Sequence, residues 1–554
     1  MREWVQKLQT PAEDQRSEVW KKFSVPFLLL AIGIPWILYF LIEPQFVMSS
    51  DHLSKYILGE SIRINHFVSD RLVYPAIKLD PTLKFSSLDY LHVGDRIVSP
   101  FPIGLGAVYA VLLEIGGLQL VYTVAACFVS ISILLLNLFF GVSGGWLIAI
   151  SLCTSFVTNG FLFADVGLAN LLVLFGIGLL VFQEEQKKDL GGRVLFLAGA
   201  ICGFAIWFRI ESLIFVSLFI FFWLGSDILR NGIRNLLVSN RNLFLYGYLV
   251  SVCLFFVQNA FLYNSALGPR YTYNAEGISS NPLDKLTTYL VILFGGNLRL
   301  GFFGYTPAFL LGLVFYLVSG FFSRPEKRNE VLRSGISGKI SFGIAGIVAI
   351  VPITFLSPND SNIDFGSRYL HLCIVPYSLL LILVLKKIQS DKARIAVIGL
   401  LILLSIYSVW NTRKVVRKVL GFSSSMKLDQ EFVLSIPSNL MVFQNKMLAS
   451  VLGKKYFQYP IMVGLSKLEL LEIIQVVKNH RLESVTYTIN STSEVKSLRE
   501  FQSRDPKFAQ NLVGSGLLPA MDGKEFLSGL GKEYKLDKEI HNQRISSYRF
   551  VRSN

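Results

Sequence analysis

The chain has 554 residues, of which 52% are hydrophobic and only 16% are charged, and its formal net charge is +15. Soluble globular domains carry about 25% charged residues, so this composition excludes a soluble domain and predicts a polytopic membrane protein. The five cysteines lie in apolar runs without a CxxC spacing, and no HExxH or P-loop pattern occurs, so neither a disulfide framework nor a zinc site is indicated.

Apolar runs long enough to cross a bilayer, about 20 residues each, recur between basic linkers. Lysine and arginine accumulate on the cytoplasmic side of membranes, so linkers 187–193, 230–241, 323–339 and 386–394 are assigned to the cytoplasm. Residues 1–23 are basic, lack a small-residue cleavage site and form a cytoplasmic N-terminus. This path predicts a mainly α bundle with about eleven spans, at 24–42, 118–140, 143–159, 166–182, 194–209, 211–225, 244–264, 301–321, 340–357, 369–385 and 395–411. A path with 12 or 13 spans stays open, because 283–298 is also apolar.

Three segments fall outside these spans. Residues 101–117 contain Pro102, several glycines and Glu114, which favours a re-entrant or interfacial segment. Residues 43–100 form a long, charged outside loop. In 411–554, strand-like runs at Leu440–Phe443 and Val485–Ile489 alternate with a helical pattern at Leu468–Lys478, which predicts a small periplasmic α/β domain.

Ionisable residues near membrane depth are the main functional signal, because each costs about 2.5–3.5 kcal/mol to insert. In this topology they gather at the outer ends of spans and predict an outward-facing site for an anion. The members are Asp51, Asp165, Arg209, Glu211, Arg270, Tyr271, Arg299, Asp364, Arg368 and His371. Simpler interpretations stay open: Asp51 as a helix N-cap, Arg209 and Glu211 as an ion pair in a helical hairpin, and Arg368 as a side chain extending to the interface.

Four stretches resemble motifs of one enzyme group. They are Ser49-Ser50-Asp51-His52 with Tyr56-Ile57-Leu58-Gly59, Ser99-Pro100-Phe101-Pro102-Ile103-Gly104, Ala198-Gly199 with Phe208-Arg209-Ile210-Glu211, and Phe365-Gly366-Ser367-Arg368-Tyr369-Leu370 preceded by Gly301–Pro307. Their order is similar to that in GT-C fold glycosyltransferases, the group with the dolichyl-phosphate-mannose protein mannosyltransferases and the aminoarabinose lipid A transferases. The resemblance covers about 25–410, so 24–410 is interpreted as a GT-C like transmembrane module.

The resemblance implies a sugar donor linked to a polyprenyl phosphate and transfer with inversion at the outer face. It implies Asp51 as general base, with Asp95 as the second candidate carboxylate. Phosphate and substrate binding then fall to Asp165, Arg209, Arg270, Arg299, Arg368 and Tyr369. His52 stands where many relatives have a second carboxylate, so a divalent metal is not assigned and no other cofactor is implied.

The implied partners are the lipid-linked donor, an acceptor glycan, lipid or protein, and membrane lipids, with no nucleic acid. A bacterial inner membrane is the favoured location. A transporter or lipid flippase for an anionic amphiphile is the main alternative, although it predicts charges near the membrane centre and internal repeats. A scaffold whose basic C-terminal domain binds a partner is the third.

Overall fold

The computed structural model describes residues 13–47, 50–186, 191–238, 241–275, 281–296, 300–321, 337–357, 368–388, 390–504 and 519–553. Its helices are α1 (Glu13–Ile42), α2 (Ser50–Ile64), α3 (Ile103–Phe140), α4 (Gly144–Cys153), α5 (Phe156–Leu162), α6 (Ala164–Gln186), α7 (Gly192–Phe204), α8 (Glu211–Val238), α9 (Arg241–Tyr263), α10 (Gly268–Ala275), α11 (Pro282–Phe294), α12 (Phe302–Tyr305), α13 (Ala308–Phe321), α14 (Gly338–Phe355), α15 (Ile374–Lys387), α16 (Asp391–Leu434), α17 (Lys446–Ala449), α18 (Lys467–Asn479), α19 (Thr492–Arg504) and α20 (Gly523–Leu530). The strands are β1 (Leu91–Val93), β2 (Arg96–Val98), β3 (Leu440–Phe443), β4 (Ile461–Val463), β5 (Ser484–Asn490), β6 (Tyr534–His541) and β7 (Ile545–Arg552).

The chain forms two compact units that differ from the ranges expected from sequence. The first unit comprises 1–41 and 121–417, and the second comprises 42–120 and 418–554. The outside loop and the C-terminal tail, which the sequence analysis treats separately, therefore belong to the same unit.

Helices of membrane-spanning length dominate the first unit and indicate a membrane protein. Among the described residues, seven helices are long and apolar enough to cross a bilayer, at Val25–Ile42, Ile103–Phe140, Ala164–Gln186, Arg241–Tyr263, Gly338–Phe355, Arg368–Leu385 and Asp391–Leu434. The pair α4 and α5, bent by 65°, makes an eighth if it is one span. The expected count of about eleven is not confirmed, because the apolar helices at Gly192–Trp207 and Glu211–Gly225 are shorter.

The apolar helix α3 is broken where the sequence analysis begins its second span. Gly116 and Gly117 have non-helical backbone angles, and Gly117 has a φ of 67°. An L-residue with a side chain avoids that left-handed conformation, so glycine permits the kink. The boundary between the two units falls three residues later, after Leu120.

Glycines let helices of the first unit approach closely. A Cβ atom at Gly199 of α7 would overlap the carbonyl oxygen of Phe244 in α9, and one at Gly247 of α9 would overlap that of Phe196 in α7. Without a hydrophobic driving force between helices in lipid, association depends on such close packing of small residues. The pair α7 and α9 is thereby fixed at backbone contact distance.

One carboxylate joins four helices at the end of α6. Glu184 accepts hydrogen bonds from Trp223 Nε1 at 2.9 Å and from the backbone N–H of Gly338 at 2.6 Å, and it pairs with Arg241 at 3.4 Å. The guanidinium of Arg241 also lies 5.3 Å from the Trp223 ring. This carboxylate therefore connects α6 with α8, α9 and α14.

The second unit contains a five-stranded sheet in the order β4-β3-β5-β7-β6. Strand β3 is parallel to both β4 and β5, whereas β7 is antiparallel to β5 and β6. The expected strands and the expected helix are observed as β3, β5 and α18. The small C-terminal α/β fold is thus confirmed.

Residues 80–90, which we call the loop segment, pack on this sheet. Phe85 O accepts a hydrogen bond from Val463 N at 2.8 Å, so it satisfies a backbone group of the edge strand β4. Ser87 Oγ and Tyr456 Oη lie 2.7 Å apart, and Lys446 Nζ lies 3.1 Å from Asp89 Oδ1. Burial raises the pKa of Tyr456, which keeps its hydroxyl protonated.

Candidate functional site

Four of the predicted site residues form one buried cluster in the first unit. Asp165 lies in the first turn of α6, and Arg209 lies in the break between the short 3-10 turn Ala205–Trp207 and α8. Arg368 and Tyr369 open the 3-10 segment Arg368–Cys373, which runs into α15. All four side chains are buried. Asp165 and Arg368, which are 203 positions apart in the sequence, thus belong to one cluster because helix ends and helix breaks carry its members.

Arg209 is held by two carboxylates. Its Nη1 lies 3.2 Å from Asp165 Oδ2, and its Nη2 lies 2.9 Å from Glu211 Oε1. Nη2 also donates to the backbone carbonyl of Arg368 at 3.4 Å. Arg209 is only 3% exposed, and a buried charge needs such partners. The ion pair with Glu211, the simpler interpretation of Arg209, is present; the pair with Asp165 is an additional contact.

Arg368 lies over aromatic rings inside the bundle. Its guanidinium carbon is 5.3 Å from the Phe163 ring centre and 5.7 Å from that of Tyr369. Tyr369 also lies 5.9 Å from the guanidinium of Arg209, so one ring separates two cations, which its π face attracts. Only 6% of the surface of Arg368 is exposed, so its side chain is buried within the protein.

His371 and Asn170 form a second polar contact beside this cluster. His371 Nδ1 lies 2.8 Å from Asn170 Oδ1, and the histidine is fully buried. Because an amide oxygen only accepts, Nδ1 carries the proton and Nε2 is an acceptor. Within the described ranges Nε2 has no hydrogen-bond partner. The sequence signal was weak, since Asn170 is one amide in an apolar helix.

A pocket of about 180 Å³ opens beside Glu211 and Tyr369. Its wall is mostly apolar, and its lining residues are Ile210, Glu211, Leu213, Ile214, Leu267, Arg270, Tyr271, Asn274, Ile353, Leu356, Ser357 and Tyr369. The short helix α10 supplies Arg270 and Tyr271. Glu211 Oε2 has no hydrogen-bond partner in the part of the chain that the structure describes. The pocket thus combines a hydrocarbon-like wall with an arginine and a glutamate in its lining.

The predicted catalytic carboxylates belong to the second unit and differ in their surroundings. Asp51 lies in the first turn of α2, half-buried, where the helix dipole favours a negative charge. Asp51 is therefore the second residue of this helix, directly after Ser50. Asp95 is exposed in the turn between β1 and β2, directly after Gly94 with its φ of 61°.

Lys55, which the sequence analysis did not select, lies four residues after Asp51 on the same helix. Its side chain is 2% exposed, and Nζ lies 5.4 Å from the Phe101 ring centre. Positions i and i+4 face the same side of a helix, so this spacing was the signal available in the sequence. Arg299, Asp364 and residues 365–367 lie outside the described residues, so the structure gives no position for them.

The carboxylates near the buried cluster pair with an arginine. In the described ranges no three His, Cys, Asp or Glu side chains are grouped closely enough to hold one. Asp165 and Glu211, the carboxylates of the buried cluster, both pair with Arg209. The arrangement suits a ligand that has an apolar body and an anionic head.

No protein-family model matches the chain, and no curated protein matches it at a significant level.

Proposed function

We propose that this protein is a membrane glycosyltransferase that moves a sugar from a polyprenyl phosphate to an acceptor hydroxyl with inversion. The observation that carries the proposal is the pocket with an apolar wall, Arg270 and Glu211 in its lining, and two buried arginines beside it. A lipid-linked sugar has a hydrocarbon chain, a phosphate and a polar sugar, which are the three chemistries that this pocket and its neighbours offer. The GT-C like order of motifs supports the same ligand class.

Charge balance supports a monoanionic ligand. Among the described residues, the cluster and its pocket contain three arginines, Arg209, Arg270 and Arg368, against the two carboxylates Asp165 and Glu211, which leaves a formal charge of +1. A sugar joined to a polyprenyl monophosphate is a phosphodiester with one negative charge. Arginine binds phosphate oxygens through paired N–H donors. We assign the phosphate to Arg270, which lines the pocket, and to Arg368, which precedes the lining residue Tyr369.

Glu211 is assigned to the sugar. Its Oε1 pairs with Arg209 at 2.9 Å, which fixes the carboxylate, and its Oε2 has no hydrogen-bond partner among the described residues. A sugar hydroxyl donating to Oε2 would satisfy a buried acceptor, whose loss of a partner costs about 1–3 kcal/mol. Asp165 and Arg209 are then positioning residues that orient Glu211.

Asp51 is the proposed base. It accepts the proton of the acceptor hydroxyl as that oxygen forms a bond to the anomeric carbon, and the bond from this carbon to the phosphate oxygen breaks. The electron pair of the broken bond stays on the polyprenyl phosphate, so the leaving group needs no proton. General-base assistance contributes about 10²–10⁴ in rate. The exposed turn position of Asp95 favours Asp51 over it.

The orientation is part of the proposal. Basic linkers face the cytoplasm of most membrane proteins, and the linkers 187–193, 230–241, 323–339 and 386–394 are basic here. The N-terminus is then cytoplasmic, and the α/β fold of residues 440–552 is periplasmic in a bacterial inner membrane.

The test compares two carboxylate variants in purified protein with a radiolabelled short-chain prenyl-phosphate sugar. Asp51→Asn should lower turnover by about 10²–10⁴, whereas the matched control Asp95→Asn should stay within about threefold. Full turnover by Asp51→Asn contradicts the base assignment.

A second test measures donor binding. Arg270→Gln should weaken donor binding by about tenfold to hundredfold, as expected for a lost charged hydrogen bond, while the exposed Arg413→Gln should leave it unchanged. Unchanged donor affinity in Arg270→Gln would exclude this pocket as the phosphate site.

A flippase for an anionic amphiphile is the second candidate, and a broken helix favours it. Helices α4 and α5 are bent by 65°, and the buried Asn159 in α5 has no hydrogen-bond partner for either amide atom within the described ranges. Discontinuous helices with free polar groups form substrate sites in transporters. Movement of a labelled prenyl phosphate across proteoliposomes, without sugar transfer, would favour this function.

A further inference from the structure

A second groove in the first unit shares no lining residue with the pocket beside Glu211. Its volume is about 400 Å³, and α4, α15 and α16 form it. Its lining residues are Trp146, Leu381, Ile382, Leu385, Arg394, Ile398, Leu401, Ile402 and Ser405. Arg394 is the one charged member, and Ser405 is the one hydroxyl. The groove is therefore an apolar channel with a single cation at one end.

The length of the groove corresponds to one leaflet of a bilayer. Arg394 lies in the first turn of α16, and Ser405 lies eleven residues further along the same helix. At a rise of 1.5 Å per residue the two are about 17 Å apart along the axis. Half of a hydrocarbon core of about 30 Å is about 15 Å. The length of one acyl chain therefore matches the distance from Arg394 to Ser405 at the end of the groove.

The groove is open to the surroundings of the bundle. In α16 only 17% of the residues in the most apolar window are buried, against 89% for Arg368–Leu385. Ile398 and Ile402 line the groove and are both exposed. A lipid molecule can therefore enter from the side.

Charge around Arg394 favours an anion. The sequence 386–394, from the end of α15 to the first turn of α16, contains Lys386, Lys387, Lys392 and Arg394, and Asp391 is the only acidic residue between 374 and 410. Helix α4, on the other wall, has no charged residue. This excess of basic over acidic residues in the sequence around Arg394 favours a phosphate and disfavours the cationic group of a zwitterionic headgroup. Basic pockets between membrane helices bind anionic lipid headgroups.

We infer that this groove is a binding site for an anionic phospholipid. The phosphate pairs with the guanidinium of Arg394, and one acyl chain fills the channel between α15 and α16 as far as Ser405. The site is separate from the proposed donor pocket, so it does not depend on the glycosyltransferase proposal. Its ligand is a structural lipid of the membrane rather than a substrate.

The first test measures lipid binding to delipidated protein by native mass spectrometry. Phosphatidylglycerol should bind the native chain more tightly than phosphatidylcholine of the same chain length. Arg394→Gln should weaken phosphatidylglycerol binding by about fivefold, the value for one cation near an anionic headgroup. The control Arg413→Gln, an exposed arginine further along the same helix that does not line the groove, should change it by less than about twofold.

Equal affinity for the two lipids, or unchanged binding in Arg394→Gln, would overturn the inference. Binding of a prenyl phosphate at this groove without binding of phosphatidylglycerol would also overturn it, because the occupant would then be a substrate-like lipid.

The second test locates the acyl chain. Trp146 lines the groove, so phosphatidylglycerol with a brominated chain should quench part of the tryptophan fluorescence, and Trp146→Phe should lose that part. The quenching should fall in Arg394→Gln at the same lipid concentration. If quenching is identical in Trp146→Phe and the native protein, the acyl chain lies elsewhere and the site is refuted.

Discussion

Replacement of Arg209 by glutamine tests whether the buried cluster is an ion-pair network. The change removes a cation that pairs with Asp165 at 3.2 Å and Glu211 at 2.9 Å, and it also removes the donor to the carbonyl of Arg368. Glutamine retains a polar head but no charge. Two carboxylates then remain buried without the cation that neutralises them.

The magnitude follows from the burial of the three charges. Arg209 and Asp165 are each 2% exposed by side chain, and Glu211 is 9% exposed. Removal of one partner from a buried pair costs about 3–5 kcal/mol, because the other charge stays uncompensated. Arg209→Gln should therefore raise the equilibrium constant of unfolding by about two to three and a half orders of magnitude. Asp165→Asn leaves Arg209 paired with Glu211, so it should cost about 1.5–3 kcal/mol.

The assay is equilibrium unfolding in mixed micelles by increasing denaturing detergent, followed by tryptophan fluorescence. The double variant Asp165→Asn with Arg209→Gln should be more stable than Arg209→Gln by at least about 1 kcal/mol, because one of the unpaired carboxylates is gone. Arg413→Gln makes the same chemical change at an exposed position of α16 and should stay within about 0.5 kcal/mol. A loss below about 1 kcal/mol in Arg209→Gln, or strict additivity in the double variant, would refute the network.

Three further changes test packing and connections. Gly247→Ala places a methyl group against a backbone carbonyl and should lower the free energy of unfolding by about 1–3 kcal/mol in the same micelle unfolding assay. Gly33→Ala, which has open space around the added methyl group, should be neutral or stabilising. Glu184→Gln should cost about 1.5–3 kcal/mol because it weakens three part-buried contacts of a charged group. Glu185→Gln, which loses a surface pair, should cost less than about 1 kcal/mol, and equal costs would contradict the connecting role. Tyr456→Phe removes the hydroxyl that contacts Ser87 of the loop segment and should speed proteolysis within 80–90 by about fivefold to thirtyfold. An unchanged proteolysis rate would show that this contact does not hold the loop segment in place.

Local pattern was enough for the elements whose signal lies within a few residues. The short apolar runs at 440–443 and 485–489 are β3 and β5, because alternation and length suffice for a strand. The glycine pair 116–117 marked the break in α3, since the left-handed conformation at Gly117 is a local requirement. The proximity of Arg209 and Glu211 was likewise visible, because only Ile210 separates them.

The remaining features depend on contacts that no short window contains. Asp165 and Arg209 are 44 residues apart, and no local pattern pairs them rather than any other acid and base. The loop segment meets the sheet through Asp89 and Lys446, which are 357 residues apart. The predicted count of about eleven spans is not confirmed, because apolar stretches such as 194–209 meet the compositional criterion for a span, although the helices that the structure describes there are short.

The composition of the second unit has a consequence for synthesis of the protein. Its two parts, 42–120 and 418–554, are separated by the 297 residues of 121–417. At an elongation rate of about 5–20 residues per second, synthesis of 121–417 alone takes about 15–60 s, and the strands of the sheet are made only after it. During that interval Tyr74, Phe85 and Leu88, which are buried in the finished unit, have no sheet to cover them. Premature termination anywhere before β5 would leave this surface exposed permanently, so nascent chains of this protein are expected to need a chaperone that holds residues 42–120 until the tail arrives.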